Sequence, residues 1–98
     1  MNMDFQKNAE ELVIGLAGRL DTTTAPQLEE KLGTELDGVK SLIFDLKDLE
    51  YISSAGLRVL LSAQKTMNKT GRMTVKNANE SIHEIFEVTG FIDILNIE

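Results

Sequence analysis

The sequence predicts an α/β fold: a mostly parallel sheet with helices between its strands. Three observations carry this. Short apolar runs at Leu12–Ala17 and Ser41–Leu46 alternate with longer stretches whose apolar residues recur at helical spacing. Helix-entry signals, Thr22–Pro26 and Ser53–Gly56, precede those longer stretches. The chain has 98 residues, 42% hydrophobic and 27% charged, with no stretch rich in Pro, Gly or Ser, which is the size and balance of one continuous core. The expected order is β-β-α-β-α-β-α followed by a short helix or strand, as one domain over residues 1–98.

The first strand is placed at Met3–Lys7, with a turn at Asn8-Ala9-Glu10. Leu12–Ala17 carries β-branched Val13 and Ile14 and reads as the second strand of a hairpin. Thr24 is a candidate cap for the first helix, with Pro26 in its first turn and Gln27 three residues on, as in a capping box. Leu28, Leu32 and Leu36 then form one apolar stripe, and Gly38 suits the stop. Ser41–Leu46 reads as a strand covered on both faces, parallel to Leu12–Ala17 through a right-handed crossover. After Lys47–Ile52, the serines introduce a second helix carrying Leu57, Val59, Leu60, Leu61, Ala63 and Met67, ended by Gly71. Met73–Lys76 is a short strand. Glu80–Val88 is a third helix with Ile82, Ile85 and Phe86 on one face, stopped by Gly90. The tail stays apolar (Phe91, Ile92, Ile94, Leu95, Ile97) and is expected to dock.

Composition excludes several functions. Sixteen acidic residues against ten basic ones leave a net charge of −6, which opposes binding to nucleic acid and anionic membranes. There are no cysteines, so disulfides, thiolate metal sites and cysteine nucleophiles are out, and a cytosolic location is expected. The start, Met1-Asn2-Met3-Asp4-Phe5, lacks the basic and apolar regions of a signal peptide. His83 is the single histidine, so no multi-histidine metal site exists. Ser54, His83 and Asp45 supply the residue types of a catalytic triad, but nothing in their spacing favours one. Neither a dinucleotide fingerprint nor a P-loop is present. No enzyme activity, cofactor or metal is expected.

Two polar clusters remain, Asp21-Thr22-Thr23-Thr24 and Ser53-Ser54-Ala55-Gly56. Each has a plain reading as helix capping. The serines have a second one: a phosphoserine brings about −1.5 to −2 charges, and a helix N-terminus tolerates an anion. Loops that follow the carboxyl ends of parallel strands gather at one edge, so the Asp21 loop and Ser53/Ser54 are expected to be neighbours.

Three segments resemble the STAS domain, the anti-sigma factor antagonist family: Gly18-Arg19-Leu20-Asp21 with Thr24-Ala25-Pro26, then Phe44-Asp45-Leu46 through Leu49-Glu50-Tyr51-Ile52-Ser53-Ser54-Ala55-Gly56-Leu57, then Ile85-Phe86-Glu87-Val88-Thr89-Gly90-Phe91. They occur in the family's order and span essentially the whole chain. The resemblance implies a mixed sheet of four to five strands with helices packed mainly on one face. It implies a non-enzymatic switch that binds a serine kinase acting as anti-sigma factor and so frees the sigma factor; separately, a domain this small with no spare apolar stripe is expected to be a monomer. The kinase phosphorylates a serine at the start of the second helix, and a PP2C-type phosphatase removes the phosphate. By position the acceptor is Ser54, with Ser53 the second choice. The implied partner surface is Asp21, Thr22, Thr23, Ser53, Ser54, Ala55, Gly56 and Arg58, with Gly56 giving close backbone approach. Ser53 stands where the family usually has Asp. The alternative is a STAS scaffold that does not switch, with the serines only capping.

Overall fold

The computed structural model of the chain describes residues Met1–Glu98. Its elements are β1 (Asn2–Asn8), β2 (Glu11–Leu20), α1 (Ala25–Glu35), β3 (Ser41–Ile52), α2 (Ser54–Thr70), β4 (Arg72–Lys76), α3 (Glu80–Thr89) and a 3-10 turn at Phe91–Asp93. The four strands lie in sequence order, β1-β2-β3-β4. β1 is antiparallel to β2, while β2, β3 and β4 run parallel. The α/β order is as the sequence predicts. A fifth strand reduces to one parallel bridge between Val75 and Ile97, made by Val75 N–H to the Asn96 carbonyl and Glu98 N–H to the Val75 carbonyl.

Side chains alternate across the sheet. Leu12, Ile14, Leu16, Leu42, Phe44 and Leu46 are all 1% exposed or less. The residues between them, Val13, Gly15, Ile43 and Asp45, are only half-buried. One face therefore carries the helices and the other stays partly open, so Ser41–Leu46 is not covered on both faces. The buried face meets Leu28 and Leu32 of α1, Leu57, Leu60, Ala63 and Met67 of α2, and Ile82 and Phe86 of α3 in one cluster of 23 buried residues. Successive crossovers that step the same way across a sheet with the same hand put their helices on the same face.

β2 and β3 run further than the apolar runs indicate, to Leu20 and Ile52 rather than Ala17 and Leu46. The reason is two register shifts. Gly15 pairs with Asp45 but Ala17 with Asp48, and Gly18 pairs with Leu49 but Arg19 with Tyr51. Each shift inserts one extra residue in β3 and turns the next inward side chain by one position. Leu46, Leu49 and Ile52 thus all face the core at a spacing of three. Gly18 sits at φ 97° within this irregularity, a left-handed conformation suited to glycine.

Capping differs from the sequence reading. Leu36, not Gly38, closes α1, and Gly38 turns the chain after it at φ 79°. Gly71 does end α2, for a packing reason: its φ is an extended 176°, and a Cβ there would lie 1.9 Å from the Lys40 carbonyl oxygen. Asn79 caps α3 by accepting from Ile82 N–H at 2.9 Å, while its amide donates to the Leu49 carbonyl at 3.0 Å.

Candidate functional site

The polar edge is built by the ends of β2 and β3. Leu20 pairs with Ile52 in the parallel ladder, and Ser53 N–H donates to the Leu20 carbonyl at 2.9 Å. Asp21 and Ser54 follow these two residues directly. The expected proximity of the two polar clusters is therefore present, and backbone bonds create it.

The Asp21 loop is a closed hydrogen-bond ring. Asp21 Oδ1 accepts from Thr23 N–H at 3.0 Å and Thr24 N–H at 3.2 Å. Thr24 Oγ1 accepts from Asp21 N–H at 2.9 Å and donates to the Arg19 carbonyl at 2.8 Å. Thr24 occupies the N-cap position, yet its hydroxyl makes no cap bond to α1. The capping box expected with Gln27 is absent because the hydroxyl is already engaged on the strand side. The Thr24 N–H is the main influence holding the Asp21 carboxyl below its ordinary value. Desolvation opposes this, and Thr23 N–H, the Thr24 hydroxyl and the Arg19 charge add to it. Asp21 stays ionised with one oxygen, Oδ2, turned outward beside Arg19 Nε at 3.7 Å. Thr22 and Thr23 are exposed.

The two serines differ. Ser53 has the extended backbone of an N-cap residue, φ −97° and ψ 176°, but makes no side-chain cap bond. Its Oγ is buried and without a partner. Ser54 begins α2 and is exposed. Neither serine caps the helix through its side chain. Of the two hydroxyls, only that of Ser54 is open to a partner.

Gly56 is buried. A Cβ on it would lie 2.7 Å from Leu20 Cγ and 2.8 Å from Ile52 Cγ1. Its close backbone approach is thus inward, seating α2 on the strand ends, and not toward a partner. Ala55 is half-buried, and Arg58 is exposed one helical turn beyond Ser54.

Two residues at this edge were not singled out from sequence. Arg19 lies 4.4 Å from the centroid of the Tyr51 ring, and Tyr51 is 38% exposed. The two are cross-strand partners. Only the pairing register, which the two shifts in β3 obscure, would have brought them together.

The triad candidates are engaged separately. His83 Nδ1 lies 3.2 Å from Glu87 Oε1. Asp45 Oδ1 accepts from the Asn77 amide at 3.0 Å and from Lys47 N–H at 3.1 Å, the Asn77 bond being the main reason its carboxyl lies below the usual range. No group of three or more His, Cys, Asp or Glu side chains is placed to hold a metal. No helix is long and apolar enough to cross a membrane.

Fold and edge together define an α/β domain of repeating strand–helix units with a polar rim at the strand ends. The family model described as the STAS domain matches residues 1–98, and the chain belongs to that family. It is 33% identical over 98 residues to the anti-sigma-B factor antagonist of Bacillus subtilis (strain 168), covering 99% of this chain and 90% of that one. The fold matches an anti-sigma factor antagonist from Mycobacterium paratuberculosis with a TM-score of 0.87 at 23% identity, over 98% of this chain and 83% of that one. It also matches the Bacillus cell fate determinant SpoIIAA in its phosphorylated form, with a TM-score of 0.78 at 21% identity, over 99% and 91% of the two chains.

Proposed function

We propose that this chain is an anti-sigma factor antagonist. In this reading it acts in the cytosol, binds a serine kinase that doubles as anti-sigma factor, and is released when Ser54 is phosphorylated. The observation that carries the reading is the contrast between the serines: Ser54 is exposed at the first position of α2, beside the Asp21 loop, whereas the Ser53 oxygen is buried. The names of the relatives supply the partner class, and a phosphorylated form of a protein with this fold supports the modification.

Unmodified, the edge presents the Asp21 carboxylate, the Thr22 and Thr23 hydroxyls, Ser54 and Arg58. Asp21 is fixed by its loop, so a cationic group on the kinase meets a preorganised anion. In the transfer, Ser54 Oγ forms a bond to the γ-phosphorus of ATP. The bond from that phosphorus to the β–γ bridging oxygen breaks, ADP leaves, and the hydroxyl proton passes to a base of the kinase. The product carries about −1.5 to −2 charges within a docking face, on a chain already at −6. Burying that charge in the interface costs binding energy, while the fold accepts it at a helix N-terminus. A PP2C-type phosphatase restores the hydroxyl.

Incubation with a candidate anti-sigma kinase and ATP, followed by intact-mass measurement, tests this. One phosphate is expected on the wild type and none on Ser54→Ala. Ser54→Ala should keep its affinity, and Ser54→Asp should lose tenfold or more. Binding of Ser54→Asp at wild-type strength would refute the switch, and binding without phosphate gain would make the domain a scaffold.

A further inference from the structure

We infer that Arg58 is the internal receptor for the phosphate on Ser54: once modified, the phosphoserine bridges to the Arg58 guanidinium along the exposed face of α2. The inference rests on the proposed modification of Ser54 and adds what the modified residue contacts. Ser54 and Arg58 are four apart in one helix, Ser54–Thr70. Side chains at that spacing are neighbours on a helix surface. Both are exposed, so neither has to be uncovered. Arg58 has no ion-pair partner, whereas the other arginine near this edge, Arg19, is held by Asp21 and Tyr51.

The order of charges is favourable as well. The anion would be N-terminal to the cation, the better orientation of an (i, i+4) pair on a helix, and it would sit at the first position, where the dipole favours negative charge. The first helical bond of this end runs from Leu57 N–H to the Ser53 carbonyl, so the pair would close over the opening turn of α2. A guanidinium offers a planar fork matched to phosphate oxygens. In the unmodified chain Arg58 is part of the face offered to the partner. In the modified chain it is engaged internally. One phosphate thus adds a charge to the docking face and withdraws a cation from it.

The test places phosphoserine at position 54 by expanded-code translation, so it needs no kinase and stands or falls separately from the proposed function. Phosphorus NMR then follows the second ionisation of the phosphate. It is expected at lower pH in the wild type than in Arg58→Ala, by a few tenths of a unit, as for an exposed helical ion pair. Arg58→Lys should retain part of the shift, and 0.5 M salt should shrink it. Thermal melting should show phosphorylation more favourable in the wild type than in Arg58→Ala. Arg72→Ala, on β4, should behave as wild type. Equal titration curves for wild type and Arg58→Ala, or a larger effect from Arg19→Ala, would overturn the inference. Failure of the kinase to modify Ser54 would count against the proposed function alone.

Discussion

Ser53 N–H donates to the Leu20 carbonyl at 2.9 Å, joining the ends of β2 and β3 at the point where both leave the sheet. The residue after Leu20 is the loop carboxylate Asp21, and the residue after Ser53 is the exposed Ser54. A backbone bond, not a side-chain contact, therefore sets the distance between acid and hydroxyl. Beneath it, Gly56 lets α2 sit directly on Leu20 and Ile52. The junction of the two strand ends is thus held by main chain and a glycine, while the Asp21 and Thr24 side chains hold the adjoining loop.

Ser53→Ala should not weaken the domain. A serine that caps a helix costs about 1 kcal/mol when truncated. The Ser53 hydroxyl makes no cap bond and is buried without a partner, and removing an unsatisfied buried polar group is neutral or stabilising. Urea denaturation should give a free energy within about 0.5 kcal/mol of wild type, or higher. A loss of 1 kcal/mol or more, on the scale of a lost cap, would mean that the hydroxyl does cap α2 in solution.

Gly56→Ala and Gly71→Ala should both destabilise, the second more. At Gly56 the new methyl meets Leu20 and Ile52 side chains at 2.7 and 2.8 Å, and overpacking of this kind costs roughly 1–3 kcal/mol. Alanine's better helix propensity returns up to about 1 kcal/mol. At Gly71 the clash is with the Lys40 carbonyl at 1.9 Å. That carbonyl also accepts from Arg72 N–H at 2.9 Å to start the β3–β4 pairing. Backbone cannot step aside as a side chain can, so Gly71→Ala should lose more than about 3 kcal/mol. Denaturant midpoints in the reverse order would contradict this packing.

Much of the fold was legible because its period changes are clean. Leu28, Leu32 and Leu36 announce α1, and Leu42, Phe44 and Leu46 announce β3. What stayed hidden in the sheet has one physical cause: the two extra residues in β3 break the period of two, so Leu46, Leu49 and Ile52 at a spacing of three do not read as strand. The same irregularity concealed the pairing of Arg19 with Tyr51. The roles of Thr24 and Ser53 were hidden for another reason. A hydroxyl before a helix has several partners within reach, and only coordinates show that Thr24 turns to the Arg19 carbonyl and Ser53 to none. That the two polar clusters are neighbours, by contrast, was readable, because parallel strands deliver their following loops to one edge.

Asn79→Ala should cost about 1–2 kcal/mol. Its side chain caps α3 through Ile82 N–H and also donates to the Leu49 carbonyl, so truncation loses the cap and a tie between α3 and β3. Asn79→Asp keeps the acceptor but not the donor and should recover part of the loss. Equal losses for both variants, by urea denaturation, would assign the whole effect to the Leu49 bond.

Asp21→Asn should be distinguishable from wild type by its pH dependence. The folded domain holds the Asp21 carboxyl below its ordinary value of 3.8. A group depressed on folding contributes stability that is fully present above its unfolded pKa and is lost as pH falls through the folded one. The advantage of wild type over Asp21→Asn should therefore be constant from about pH 5 upward and shrink below about pH 4. Asn keeps an oxygen for Thr23 and Thr24 N–H, so the difference reports the charge and not the loop's shape. The leading cause of the shift is the Thr24 N–H, with the Arg19 charge last. Bonds from backbone amides are short-ranged, while an exposed ion pair is screened by salt. The advantage should accordingly survive in 1 M salt. If it vanishes there, the outward pair with Arg19 would outweigh the loop bonds, and the carboxylate would not be the fixed anion of the proposed docking face.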